Sequence, residues 1–261
     1  MKFRLIMIVS IQFFFFSLTA QEGVFVSYIF NQKMNFNTIQ IEQHLYATKD
    51  RARLDIIPPN MSYAPPELKE TDEGLSVLKI DKNKYDITRY FASSSSQQLF
   101  IVFKNNKQQN ILLDDLRVLS WQITNETKQL KGYQVVLAKT TFRGRSYNAW
   151  FSPDVPIPFG PWKFKGLPGL IFEVVDEDEL FSWSLSSLQL LNQGLEDLFL
   201  QRPKESEVTQ TLQEHIYEWQ GEQTRKQQQM ISNLPRDGKL MKSSKLSESS
   251  IERIYEWEEE N

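Results

Sequence analysis

The chain has 261 residues, 40% of them apolar, 24% charged and 13% aromatic, with a formal net charge of -3. So aromatic a chain can bury enough apolar surface to offset its conformational entropy, which excludes a disordered protein, and weak acidity leaves no electrostatic footprint for nucleic acid. It has no cysteine and two histidines, which rules out disulfides, thiolate nucleophiles, thiolate-held metals, a lipidated-cysteine anchor and a multi-histidine metal site.

Lys2 and Arg4 precede an apolar run from Leu5 to Leu18, and Thr19-Ala20 follows before Gln21-Glu22. This is the three-part layout of a secretory signal peptide. Residues 1–20 are therefore expected to be cleaved after Ala20, leaving a periplasmic or outer-envelope-associated chain. The alternative is a retained anchor, but the run falls short of the roughly 20 apolar residues that span a bilayer. No later segment reaches that length, so no transmembrane segment is expected in the mature chain. Without residues 1–20 the net charge is -5, because two bases and no acids are lost.

The next stretch reads as strands. Val24 to Phe30 is aromatic and β-branched, and Arg51 to Ile56 alternates charged and apolar residues as a half-buried strand should. Further candidates are 85–90, 100–103, 117–123, 133–139, 147–151, 170–175 and 181–185. Short connections with turn residues, such as Asp81-Lys82-Asn83-Lys84 and Asn105-Asn106-Lys107, predict hairpins. Strands in this succession without intervening helices predict a mainly β (α+β) fold. Its core is a strongly curved antiparallel meander sheet, a half-barrel in one form, with a C-terminal helical extension. Pro58-Pro59 through Gly74 has little periodicity and reads as a surface loop.

After Leu188 the character changes. Val208, Leu212, Ile216 and Trp219 recur at helical spacing inside a Glu-, Gln- and Lys-rich stretch, which predicts a helix over 205–232. Lys239 to Ser250 has the composition of a flexible segment. Ser249 and Glu252 fit a capping box before a short acidic helix over 251–261. The organisation expected is a β-rich domain over 21–188 and an extension over 189–261.

Pro153 to Ile171 reads PDVPIPFGPWKFKGLPGLI, with five prolines and three glycines in nineteen residues. Each proline fixes its own φ and pushes the preceding residue towards extended geometry, so this is a rigid irregular loop. Leu167-Pro168-Gly169-Leu170 fits a type II turn with Gly169 at positive φ.

This segment resembles the GLPGLI family of exported Bacteroidota envelope proteins, whose naming motif is Gly166-Leu167-Pro168-Gly169-Leu170-Ile171. Trp121 to Lys128 with Gly132-Tyr133, Tyr147 with Ala149-Trp150-Phe151, and Pro156 to Pro161 resemble the family's flanking pattern. The resemblance spans roughly residues 20 to 190. It departs where the family often has a cysteine after Gly-Tyr, since Val135 and Val136 stand here, and in lacking an Asn-Pro ending. It implies export and a β-rich body but supplies no set of catalytic residues; no cofactor is expected.

Two readings of the loop follow. Phe159, Trp162 and Phe164 alternate with Gly160, Lys163 and Lys165, so they could display an aromatic binding face together with Gly166, Leu167, Pro168, Gly169, Leu170 and Ile171. Alternatively the loop plugs one end of the curved sheet, as such loops with alternating aromatics usually do. Asp176-Glu177-Asp178-Glu179 could hold a hard cation, but consecutive strand side chains point different ways, and a solvated turn tip explains them better. His215 and His44 could act as bases, although their neighbours suit structural histidines. Arg143-Gly144-Arg145 reads as a hairpin turn or an anion holder. No G-x-S-x-G, H-E-x-x-H or phosphate-binding glycine loop is present.

The leading functional expectation is a non-enzymatic binding module for an apolar ligand or another envelope protein, at the concave face or the GLPGLI edge. The alternatives are a hydrolase using Asp154, Glu173 and Asp176, and a structural accessory of an outer-membrane or secretion complex.

Overall fold

The structure is a computed structural model and describes residues 23–34, 36–58, 67–71, 74–79, 87–105, 108–192, 194–232 and 250–258. The expected signal segment and most of Lys239 to Ser250 lie outside the described residues.

The chain forms β1 (Gly23–Lys33), β2 (Thr38–Ala47), β3 (Arg51–Ile57), β4 (Glu67–Thr71), β5 (Gly74–Lys79), β6 (Thr88–Ser93), β7 (Gln98–Asn105) and β8 (Gln108–Asp115). It continues with β9 (Gln122–Leu130), β10 (Tyr133–Phe142), β11 (Arg145–Ser152), β12 (Leu170–Asp176), β13 (Phe181–Leu191), α1 (Glu196–Phe199), β14 (Gln210–Thr211) and α2 (Leu212–Ser232). Twelve strands make one open sheet in the order β14-β8-β7-β6-β3-β2-β1-β13-β12-β11-β10-β9, and β4 pairs with β5 apart from it. All pairings in the large sheet are antiparallel except β14 on β8. The expected mainly β, antiparallel fold with a C-terminal helix is therefore what forms.

The order is two meanders joined at β1 and β13. One runs from β1 out to β8, the other from β13 out to β9, so consecutive strands β8 and β9 lie near opposite edges. Residues 116–121 must cross between them, which is why the expected strand over 117–123 does not form and β9 starts at Gln122. If the sheet were flat, β8 and β11 would lie roughly 40 Å apart, at ~4.8 Å per strand step. Yet Asp114, at the end of β8, accepts a hydrogen bond from Arg143 in the β10–β11 turn at 2.7 Å. The sheet therefore curls until its two wings touch, without closing into a barrel.

Several expectations change in detail. The stretch from Pro58 to Gly74 contains β4, not loop alone. The helix expected from 205 starts at Leu212 instead. There Thr211 and Glu214 exchange hydrogen bonds, Glu214 N–H to Thr211 Oγ1 at 3.2 Å and Thr211 N–H to Glu214 Oε2 at 2.8 Å, a capping box. Residues 205–207 form one 3-10 turn. Of the acidic helix expected over 251–261, the described residues 251–258 form one 3-10 turn at Glu256–Glu258.

β9 is an exposed edge, but its register against β10 is irregular around Leu137, a device that discourages edge-to-edge pairing. Far from that edge, Arg53 and Asp55 face each other on β3, 1% and 0% exposed, joined by two hydrogen bonds of 2.7 and 2.6 Å. Removing one partner of a buried pair leaves an uncompensated charge. Arg53→Met should therefore destabilise the fold by about 3–5 kcal/mol in urea unfolding, whereas a change under about 0.5 kcal/mol would show that the pair is structurally idle.

Candidate functional site

The loop after β11 lies inside the curl. Phe159, Trp162, Phe164, Leu167, Leu170 and Ile171 are all buried, between 0% and 8% exposed. Trp162 stacks on Trp183 of β13 with centroids 5.7 Å apart, and Phe164 meets Tyr147 edge-on at 4.8 Å. These rings pack with Leu99 and Ile101 of β7 and Leu112 of β8 on one wing, and with Phe142 and Phe151 on the other. The expected aromatic binding face is thus absent, because the rings fill the concave side where both wings need apolar contact. Of the residues singled out for binding, only Gly166 and Pro168 reach solvent.

Backbone hydrogen bonds hold the loop rigidly. Leu170 N–H donates to Val155 O at 2.9 Å, Gly166 N–H to Pro158 O at 2.9 Å, and Ile171 N–H to Phe159 O at 3.2 Å. The Tyr28 hydroxyl donates to Ile171 O at 2.6 Å, and burial pushes its pKa up. Lys165 reaches across to Ser93 O at 2.9 Å, with its pKa lowered by burial. The expected positive φ at Gly169 falls instead at Gly166, with φ +94°. Gly169 is required for another reason: a Cβ there would sit 2.1 Å from Ser152 O.

Beside the loop's outer end, Gln97, Arg117, Val118, Leu119, Pro158 and Gly166 line a surface cavity of about 200 Å³. Val118 is 73% exposed. Beneath the loop, next to Trp162 and Phe164, a cavity of about 20 Å³ remains, room for about one water molecule.

The second feature is a charge cluster where the wings meet. Arg143 and Gly144 both have positive φ, 45° and 76°, so the turn is a tight primed hairpin. The hairpin-turn reading of Arg143-Gly144-Arg145 is therefore what forms, with both arginines pointing inward onto carboxylates of the same chain. Arg143 donates to Asp114 at 2.7 and 3.2 Å, and Lys163 Nζ, from the loop, donates to Asp114 at 2.7 Å. Burial alone would raise the Asp114 carboxyl, but Lys163 and Arg143 outweigh it and hold it below the usual range. Arg145 donates to Asp176 at 2.7 Å and to Asp178 at 3.2 Å. Two members of the acidic run 176–179 are therefore engaged by an arginine.

The segment 250–258 covers this cluster. Glu252 accepts from Arg143 at 2.5 Å and from Lys163 at 2.7 Å, and Glu256 accepts from Arg143 at 3.1 Å. Glu252 is thus committed to the cluster and does not cap a helix.

The three carboxylates of the hydrolase alternative do not converge. Asp154 is exposed on the turn after β11. Glu173 accepts from Lys128 at 2.7 Å. Asp176 lies three residues further along β12, hence on the opposite face, and is 2% exposed against Arg145. His44 faces Glu42 at 2.8 Å, and His215 lies 3.3 Å from Gln210. Among the described residues no group of three or more His, Asp or Glu could hold a metal, and no helix is long and apolar enough to cross a membrane.

Two substitutions probe this arrangement. Gly169→Ala forces a Cβ onto the Ser152 carbonyl and should cost about 3 kcal/mol, the upper part of the overpacking range, in denaturant unfolding; a neutral result would mean that the loop is not tightly seated. A carboxyl held low in the folded chain stabilises it above its unfolded pKa near 4, and that contribution fades as pH falls through the folded value. Asp114→Asn should thus cost about 3–5 kcal/mol at pH 7, and its stability should fall less steeply than wild type below about pH 4. Parallel acid limbs for the two proteins would refute the assignment.

Residues 143–173 match the model of a family described as a protein of unknown function (Porph_ging). Among curated proteins no relative matches. Among solved structures, PNGF-II in C2 space group has a TM-score of 0.47 at 14% identity, covering 72% of this chain and 31% of that one. PNGF-II in P21 space group has a TM-score of 0.46 at 15% identity, covering 73% of this chain. The chain spans 31% of the length of these structures.

Proposed function

We propose that the protein is a non-enzymatic binding module of the cell envelope that engages another envelope protein at the outer rim of the GLPGLI loop. The observation that carries this reading is the rim itself. A loop locked from within presents Pro158 and Gly166 beside Val118, a side chain left 73% exposed on the connector that crosses between the wings. A preorganised, partly apolar surface binds with little ordering cost. The space beneath the loop is too small for an apolar ligand, at about 20 Å³, which favours a protein partner over a buried small molecule. The separate engagements of Glu173 and Asp176 favour binding over hydrolysis. Export rests on the pattern of residues 1–20 and on the family resemblance.

A second reading draws support from α2, whose Tyr217 and Trp219 are 50% and 44% exposed. In that reading the helix docks the protein into a larger assembly.

One capture experiment separates the two. Wild type, Val118→Glu and Trp219→Ala are immobilised and incubated with an envelope extract, and bound proteins and lipids are identified by mass spectrometry. The rim reading expects a protein recovered by wild type and Trp219→Ala but reduced at least tenfold by Val118→Glu. Loss with Trp219→Ala alone would move the contact to α2. Equal recovery by all three, or lipid alone, would overturn both.

A further inference from the structure

The charge cluster between the wings is incomplete without the C-terminal segment. Arg143 and Lys163 bring two positive charges to a site where the sheet provides one carboxylate, Asp114. With the segment in place their side chains are 1% and 3% exposed. Buried cations need paired anions, and an excess cation held away from water is costly. Glu252 and Glu256 supply the missing negative charge.

The segment is also held as a peptide ligand is held. Arg145 donates through Nε and a terminal nitrogen to Ser250 O at 3.0 and 2.9 Å. The Tyr147 hydroxyl donates to Ile251 O at 3.2 Å. Arg253 N–H donates to Arg143 O at 2.9 Å. These bonds read main chain and are indifferent to sequence. Selectivity comes from the two glutamates and from aromatic contact. The Arg143 guanidinium lies 5.1 Å from the Tyr255 ring centre, and Tyr255 stacks on Trp257 at 4.6 Å.

Tyr255 is buried in the main core, with Ile251 and Trp257 packed against it, but two observations set the segment apart from the regular elements of the body. Residues 250–258 add no strand to the sheet. A surface cavity of about 680 Å³ lies between it and α2, lined by Trp219 and Gln223 on one side and by Arg253 and Tyr255 on the other.

We infer that the cleft formed by Asp114, Arg143, Arg145, Tyr147 and Lys163 is a recognition site for an acidic peptide segment carrying an aromatic residue, and that residues 250–258 are its occupant in cis. An occupant tethered to the same chain competes at an effective concentration of about millimolar order, so an outside peptide gains access only when the cis segment is weakened. This inference is tested at other residues than the rim reading, which turns on Val118, although the two sites adjoin: Lys163 also lines the rim cavity, and Arg117 of that cavity donates to Glu256 O at 3.2 Å.

The test uses the full chain and a fluorescent peptide of residues 249–261, followed by polarisation. In Glu252→Lys/Glu256→Lys the cis segment loses its hold. That variant should bind the unaltered peptide at least tenfold more tightly than wild type does, and more weakly as salt rises. A peptide carrying the same two lysines should not bind. Equal affinity for wild type and variant, no binding to the variant, or a variant without a cooperative melting transition would each overturn the inference. The last result would make the segment part of the fold and not a ligand.

Discussion

The contact among Asp114, Arg143 and Lys163 is the constraint on which the rest depends. It joins residues from the end of β8, the β10–β11 turn and the loop, three places that a flat sheet would hold far apart. A buried ion pair is not strongly stabilising relative to well-packed apolar residues, but breaking it is costly. It therefore acts chiefly as a selector of arrangement. Any curvature that fails to bring the wings together leaves two cations without their carboxylate. Hydrophobic filling says that the sheet must curl around something; the charge contact says how far.

What the sheet curls around is the loop from Pro153 to Gly169. Its prolines limit the conformations available to the unfolded chain, and its aromatic rings complete a core that neither wing could form alone. Trp121 adds a tie from the connector, its indole N–H donating to Lys165 O at 2.9 Å. The motif that stands out most in the sequence is thus mainly interior. Its outward contribution is confined to the positions that rigidity leaves at the rim.

Much of this was legible before any coordinates. The strands around Val24, Arg51, Tyr133, Tyr147, Leu170 and Phe181 announce themselves by β-branched and aromatic residues. β9 does not, because as an edge strand it is polar nearly throughout and carries no period. β2 and β8 are diluted by glutamine, glutamate and asparagine. The connector over 116–121 looks like a strand because its apolar residues serve two different surfaces, Leu116 inward and Val118 outward. The charge cluster was partly visible as Arg143-Gly144-Arg145. Its partners lie 29 and 109 residues away from Arg143, and no local pattern reports a contact of that separation. Gly169 shows the same limit: a type II turn explains a glycine locally, whereas the actual reason is the carbonyl of Ser152 on the strand before the loop.

Backbone strain ties the loop to the charge site. Trp162 has φ +53°, an outlier for so bulky a residue. Such conformations persist only where the surroundings over-determine them. Here Trp183, Phe142 and Phe164 enclose the indole, at centroid distances of 5.7, 5.6 and 5.3 Å. The consequence falls on the next residue, since Phe164 must return to the core and Lys163 between the two rings is turned to Asp114. Relaxing Trp162 to an ordinary helical or extended φ would re-aim Lys163 and leave Asp114 to Arg143 alone. The aromatic packing that seems purely structural therefore sets the charge that meets the C-terminal segment. Core and candidate binding site are one construction, read from opposite sides of the turn over residues 161–164, which Phe164 N–H closes by donating to Pro161 O at 3.1 Å.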